Sequence, residues 1–373
     1  MTTATHEDRS PRTAGITADA PSRDDKAVAV WLLICSAMIF AMAVIGAVTR
    51  LTESGLSIME WAPLSGALPP LSEAEWQRLF ALYQQIPEYQ EINRGMSLDE
   101  FREIFWLEYI HRLWGRLIGV VFLLPLVWFW LRRRLRPGLS RHLWGIFALG
   151  ALQGLMGWYM VASGFAERTD VSQYRLVAHL LLACAIYVYT LAIALRLLAP
   201  VGARGGAGRF AKLRLGLIAL TALLIVTIAS GGFVAGLNAG LIYNSFPLMD
   251  GQLVPADYGA LRPWSANLFE NHAAVQFNHR VLAIATLAGA LALWAASLNT
   301  PMTAPMASAA RRAMALLALV AALQVALGIS ALLLVVPVWL GALHQAGALT
   351  LLTVAICALH GLRRTGAAAS NGL

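Results

Sequence analysis

Residues 104–131 read IFWLEYIHRLWGRLIGVVFLLPLVWFWL. The run carries no charge after Arg116 and exceeds the roughly 20 residues with which an α-helix crosses a bilayer core. Seven other stretches share its character. The eight are placed at 27–48, 104–131, 142–162, 173–198, 212–235, 272–297, 310–335 and 338–360. Composition agrees: of 373 residues, 58% are hydrophobic and 13% charged, and the mean hydropathy is +0.64. A soluble domain would carry about 25% charged residues. The sequence therefore defines an all-α integral membrane protein of eight transmembrane helices, with the lipid bilayer as its main partner.

The formal charge of +8 invites a nucleic-acid reading, but its distribution excludes one. Positive charge sits in short loops. Arg132, Arg133, Arg134, Arg136 and Arg141 lie in one, and Arg196, Arg204, Arg209, Lys212 and Arg214 in another. Arg311 and Arg312 precede span 7, and Arg363 and Arg364 follow span 8. Residues 49–107 instead hold nine acids against four arginines, and 236–271 hold Asp250, Asp257 and Glu270 against Arg262. The basic side is expected in the cytoplasm, with both termini inside and the two long loops outside. Cys35, Cys184 and Cys357 all fall within spans, so no loop disulfide framework exists. Residues 1–26 are polar and lack an apolar leader core. They read as a disordered cytoplasmic tail.

The first outer loop is long enough to be partly structured. Residues 72–86 show apolar residues at helical spacing, which predicts a short amphipathic helix lying on the membrane surface. Ser97 and Glu100 have capping-box spacing, so the span at 104–131 should start outside the membrane, near residue 98.

The chain also repeats itself. Glu108-Tyr109-Ile110-His111-Arg112 matches Gln276-Phe277-Asn278-His279-Arg280, and Leu152-Gln153 with Gly157 matches Leu323-Gln324 with Gly328. His179 matches His344, and Leu51, Gly55-Leu56 and Pro63-Leu64 match Leu237, Gly240-Leu241 and Pro247-Leu248 once a one-residue gap is allowed. Four matches in one order imply two parallel four-helix-bundle repeats. The expected organisation is a tail at 1–26, a bundle at 27–198, a cytoplasmic linker at 199–211, a bundle at 212–360 and a tail at 361–373.

Ionisable groups inside spans are costly and usually mark function. Of eight histidines, His6, His142 and His360 fall in a tail, a basic loop and a helix end, and His272 sits at an outer interface. His111, His179, His279 and His344 differ, because each lies near the outer end of an even-numbered span. A lone histidine in a span is more often a hydrogen-bonded core residue than a ligand. Four at one depth, duplicated by a repeat, favour a metal. A zinc or copper site would gather all four, whereas the repeat suggests two pairs: His111 with His179, and His279 with His344. Two imidazoles from facing helices can clamp a haem, one on each face of the iron. Arg50, Arg112, Arg175, Arg262 and Arg280 then either meet propionates or snorkel to the interface.

The halves are chemically unequal. Glu108 stands one turn before His111, whereas its counterpart before His279 is Gln276. This suggests a reactive first site and a permanent cofactor in the second. The alternative is that Glu108 merely pairs with Arg112 or Arg175.

The run Asn93-Arg94-Gly95-Met96, followed by Glu108-Tyr109-Ile110-His111-Arg112-Leu113-Trp114-Gly115-Arg116, resembles the haem A synthase family, as do Asn278-His279-Arg280 and the late His344. The resemblance spans all eight helices, leaving out roughly the first 25 and last 10 residues. It is specific, because few families place one histidine on each of four alternate helices. The outer loops lack the cysteine pair of some bacterial members, so the chain resembles the class shared by proteobacteria and mitochondria. The resemblance implies oxidation of the C8 methyl of haem O to the formyl group of haem A, the cofactor of terminal cytochrome oxidases. Haem b would be the redox cofactor, held by His279 and His344 with Arg280 and Gln276 beside it. His111 and His179 would take the substrate iron, and Glu108 would act in the reaction. Implied partners are a haem O synthase and cytochrome oxidase assembly factors. The implied location is a bacterial inner membrane with the haem sites in the periplasmic half. A homo-oligomer stays open.

Two histidines on the substrate iron leave no position for oxygen. Either one ligand leaves, or electron abstraction precedes attack by water. A two-haem electron-transfer protein of the cytochrome b type would place two histidines on each of two helices, unlike this chain. A haem transporter would need no Glu108.

Overall fold

The computed structural model describes residues 20–62, 65–165, 169–199, 211–299 and 304–370, apart from the side chains of 304–307 and 364–370. Most of the expected first tail and of the expected linker, and the last three residues, lie outside the described residues. Ten α-helices are present among the described residues: α1 (Arg23–Leu51), α2 (Glu73–Tyr83), α3 (Pro87–Glu91), α4 (Leu98–Leu131), α5 (Leu139–Val161), α6 (Gln173–Leu198), α7 (Ala211–Gly236), α8 (His272–Leu298), α9 (Ala304–Leu333) and α10 (Val338–Ser370). All but α2 and α3 are long and apolar enough to cross a membrane, which gives eight spans in a multi-pass membrane protein.

Local chemistry sets the helix ends. Helix α1 starts at Arg23, a turn inside the stretch expected to be a disordered tail. Ser22 caps it, with the Asp25 side chain returning to the Ser22 backbone in a capping box. The expected box at Ser97 and Glu100 starts α4 in the same way. Helix α10 continues through residues expected to be a tail and ends at Ser370. Within α4, Pro125 has no N–H for the carbonyl of Val121. The Trp31 indole of α1 supplies the missing donor at 2.9 Å, so a backbone acceptor within an apolar span stays satisfied.

Helix α2 corrects one expectation. Its apolar face, Trp76, Leu79 and Tyr83, packs on Phe101 and Phe105 of the extramembrane end of α4. Periodicity identifies an apolar face but not what covers it, and here the protein covers it instead of lipid.

The long helices close two rings. In the first, α1 touches α4 and α6 while α5 touches α4 and α6. In the second, α8 touches α7 and α9 while α10 touches α9 and α7. Along the seam, α1 meets α10 and α6 meets α7 and α10. One packed core fills the first ring at the end away from the long loops, through Val28–Cys35, Phe122–Phe129, Leu143–Ile146 and Ile186–Leu197. A second core runs through Leu213–Ile228, Ala290, Ala310–Ala321 and Leu349–Leu362, and it also includes Cys184, Tyr187 and Leu191 of α6. Both cores stop before the level of the four histidines.

Candidate functional site

Each of the four histidines is seated on a glycine of a neighbouring helix. A Cβ added to Gly46 would lie 3.1 Å from Cε1 of His111, and one on Gly157 would lie 3.2 Å from Cε1 of His179. The corresponding distances are 3.0 Å from Gly231 to His279 and 2.8 Å from Gly328 to His344. Spacings this short mean that a side chain at any of the four would press on the ring, so glycine lets each imidazole lie close against a backbone. Gly157 and Gly328 match in the sequence repeat. Gly46 and Gly231 do not stand out in the sequence, because 31 glycines give little contrast. Their signal is that the same offset relates them as relates the short turns that follow, Ser54–Leu56 and Ala239–Leu241. At that offset, Leu51 corresponds to Gly236, so this stretch aligns without the gap the sequence comparison allowed.

His279 and His344 face each other with ring centres 6.4 Å apart and planes at 86°. Two imidazoles bound to opposite faces of one iron, each at about 2 Å, place their ring centres about 6 Å apart. His111 of α4 and His179 of α6 stand against Gly46 and Gly157 of the same ring. No group of three or more metal-ligating residues is assembled among the described residues, which disfavours a single four-histidine metal site. The residues of the second ring thus fit a planar iron macrocycle, through paired imidazoles, glycine seats and a packed core that ends below them, and the first ring repeats the histidines, the seats and the core.

Hydrogen bonding to the rings is uneven. Nδ1 of His279 lies 2.8 Å from the Ser230 hydroxyl, and Nδ1 of His344 lies 3.1 Å from the Gln324 amide. Gln153 lies 3.2 Å from Nε2 of His179. Nδ1 of His111 and Nδ1 of His179 are buried without a partner.

Glu108 is buried and fully engaged. Arg112 donates to its Oε1 through Nε at 2.9 Å and Nη2 at 2.6 Å, while the Ser57 hydroxyl and the Ile58 N–H both donate to Oε2 at 2.8 Å. Arg112 also holds the carbonyls of Ile58 and Glu60. Gln276 and Arg280 repeat the arrangement. Gln276 donates to the carbonyls of Ala239 and Ile242, and Arg280 donates to Gln276 and to the carbonyls of Tyr243 and Ser245. Both residues therefore anchor an outer loop above a histidine, and the Glu108–Arg112 pairing left open in the sequence is present. Arg175 is not its partner. That side chain lies over Tyr159 at 3.7 Å and bonds the Tyr159 carbonyl. Arg50 bonds Asp170, Asn238 and the Ala235 carbonyl, and Arg262 bonds nearby loop carbonyls. All five arginines considered for propionates thus have protein partners. His272 begins α8, with Asn271 as its cap.

Fold and site together define a class: a polytopic helical membrane protein with two glycine-seated histidine pairs. The family model described as cytochrome oxidase assembly protein matches residues 29–356, and the chain belongs to that family. Relatives named "Heme A synthase" include one from Rhodospirillum centenum, 55% identical over 91% of this chain and 89% of its own length. Another, from Nitrosospira multiformis, is 49% identical over 91% of this chain and 94% of its own.

Proposed function

We propose that this chain is a haem A synthase that oxidises the C8 methyl of haem O to a formyl group. The observation that supports this most directly is the duplicated histidine pair on unequal surroundings, together with relatives of that name at about half identity over nine-tenths of the chain. The two rings are read as the expected four-helix-bundle repeats. His111 and His179 hold the iron of the substrate haem. His279 and His344 hold haem b, which when bound supplies one-electron redox chemistry. Arg280 and Gln276 fix the loop over that second site.

The chain's own residues contribute position and proton handling. Glycine seats orient the imidazoles, and apolar helix faces keep bulk water from the methyl. Glu108 takes up or orients a proton at Oε2, where the Ser57 hydroxyl is the adjacent exchange group. Methyl oxidation passes through an alcohol and a gem-diol that dehydrates to the aldehyde. Labelled dioxygen and labelled water, followed into the formyl group, separate the two oxygen sources. The location proposed is a bacterial inner membrane, both termini cytoplasmic and the haem sites in the periplasmic half. Haem O synthase and oxidase assembly factors are the proposed partners.

The test is direct: haem O is added to the purified protein with a reductant and oxygen, and haem A is sought by mass spectrometry. Its formation is expected. A protein that binds haem O and never converts it would be a carrier instead.

A further inference from the structure

Only one of the four histidines has a hydroxyl on its outer ring nitrogen. Ser230 donates its single hydroxyl proton to the carbonyl of Thr227 at 2.7 Å. Nδ1 of His279 lies 2.8 Å from the same hydroxyl. An imidazole that binds a metal through Nε2 carries its proton on Nδ1, and the Ser230 oxygen is placed to accept that proton while its own goes to Thr227. The bond also resists rotation of the ring about Cβ–Cγ, from the same helix that supplies Gly231.

The first ring lacks this device. Gly46 meets His111 as Gly231 meets His279, and the residue before Gly46 is Ile45 where the residue before Gly231 is Ser230. Isoleucine offers no hydrogen-bonding atom, and Nδ1 of His111 is buried without a partner. The contrast is confined to these first ligands: Gln324 meets His344 at Nδ1, Gln153 meets His179 at Nε2, and each glutamine also bonds the carbonyl of its histidine.

We propose that Ser230 is a positioning residue that makes His279 a fixed iron ligand, and that Ile45 at the matching place leaves His111 a releasable one. This rests on the two-haem reading above. Its chemical sense is that a substrate site must load, react and unload, whereas a cofactor site must retain. An N–H···O bond at Nδ1 makes the imidazole a stronger donor, which favours ferric iron and slows ligand loss. The inequality between the halves thus has a second component besides Glu108 and Gln276, placed on the odd-numbered helices α1 and α7.

The test uses the full-length protein carrying haem b, with haem O added to fill the first site. Three quantities are read: the rate of haem transfer to excess apomyoglobin, the midpoint potential of the retained haem, and its low-spin EPR signal. Ser230→Ala is expected to speed loss of the retained haem about 10- to 100-fold, raise its potential and shift its EPR signal. Ser230→Thr keeps a hydroxyl and restores all three. Ile45→Ser is expected to slow release of haem from the first site by a comparable factor. Unchanged potential, EPR signal and transfer rate in Ser230→Ala overturn the proposal. So does an Ile45→Ser protein that releases haem O at the original rate, and that variant decides the matter should Ser230→Ala not fold. His279→Ala separates this from the parent reading: if the retained-haem spectrum survives there, the assignment of haem b to His279 and His344 is itself wrong.

Discussion

At each of the four histidines, a methyl group in place of a glycine hydrogen would strike the imidazole. The contact is tightest at Gly328, where an added Cβ would lie 2.8 Å from Cε1 of His344. Gly328→Ala is therefore expected to displace the ring and cut the haem b content of the purified protein several-fold, read as the pyridine haemochrome. Gly119, also in a span, has nothing within 4 Å of an added Cβ. Alanine there should leave haem content unchanged and favour the helix by about 1 kcal/mol. Equal haem content in the two variants would remove the seating argument. Glu108 makes a different case, because its two oxygens accept four hydrogen bonds. Glu108→Gln keeps the shape but weakens the Arg112 contact and removes a proton acceptor. On the proposed function it should retain haem b and lose conversion of haem O by about 100-fold or more, the usual scale for proton-transfer groups. Full turnover would make Glu108 a loop anchor alone. The histidines were legible in the sequence because polar groups in lipid stand out. Their glycine seats were not, since the role of a glycine depends on what approaches it across space.

Among the elements, α2 and α3 form a cap on the outer end of α4, and this cap encloses an acid. Glu88 of α3 is buried, and one of its carboxylate oxygens has no hydrogen-bond partner. Burial, reinforced by the negative charges of Asp170, Glu53 and Glu108 and opposed by Arg50, pushes its carboxyl up to about 8. A raised carboxyl means that the closed cap binds a proton which the opened cap releases. Stability from this group is complete below the ordinary carboxylate range and is lost as pH rises toward 8. The protection factors for hydrogen exchange across residues 73–97, with the intrinsic base-catalysed rate divided out, should therefore fall between about pH 5 and 8. Glu88→Gln, which keeps the neutral shape, should flatten that profile and protect the cap at the alkaline end. Identical profiles would mean that Glu88 opens with its charge already solvated. The capping boxes and the helix within 72–86 were readable, because caps and periodicity are local. The docking of α2 on Phe101 and Phe105 was not, since it depends on α4 extending past the membrane as a rigid post.

Across the whole molecule, eight spans could be counted from composition because lipid demands uninterrupted apolar helices. The seam between the two rings left no such trace, because an apolar helix face suits lipid and another helix equally well. Polar contacts identify it in space, among them the Tyr174 hydroxyl of α6 on Glu270 ahead of α8 at 2.8 Å. The Tyr187 hydroxyl meets Thr353 of α10 at 2.6 Å, and Arg50 at the end of α1 reaches Asp170, Asn238 and the Ala235 carbonyl beside the end of α7. In the sequence Arg50 could either meet a propionate or snorkel to the interface, but these contacts commit it to joining the first ring to the second. Its side chain is only 12% exposed, so losing these charged hydrogen bonds should cost about 2 kcal/mol. Arg50→Ala is accordingly expected to lower the thermal midpoint by a few degrees while both haem spectra stay unchanged at low temperature. Arg50→Lys should recover only part of the loss, because a single ammonium on a flexible stem cannot reproduce the guanidinium fork. A lowered haem content without a lowered midpoint would return Arg50 to the haem edge. An unchanged midpoint with unchanged spectra would leave the seam to the Tyr187–Thr353 contact and to apolar packing, with Leu33 and Phe40 of α1 set against the second core.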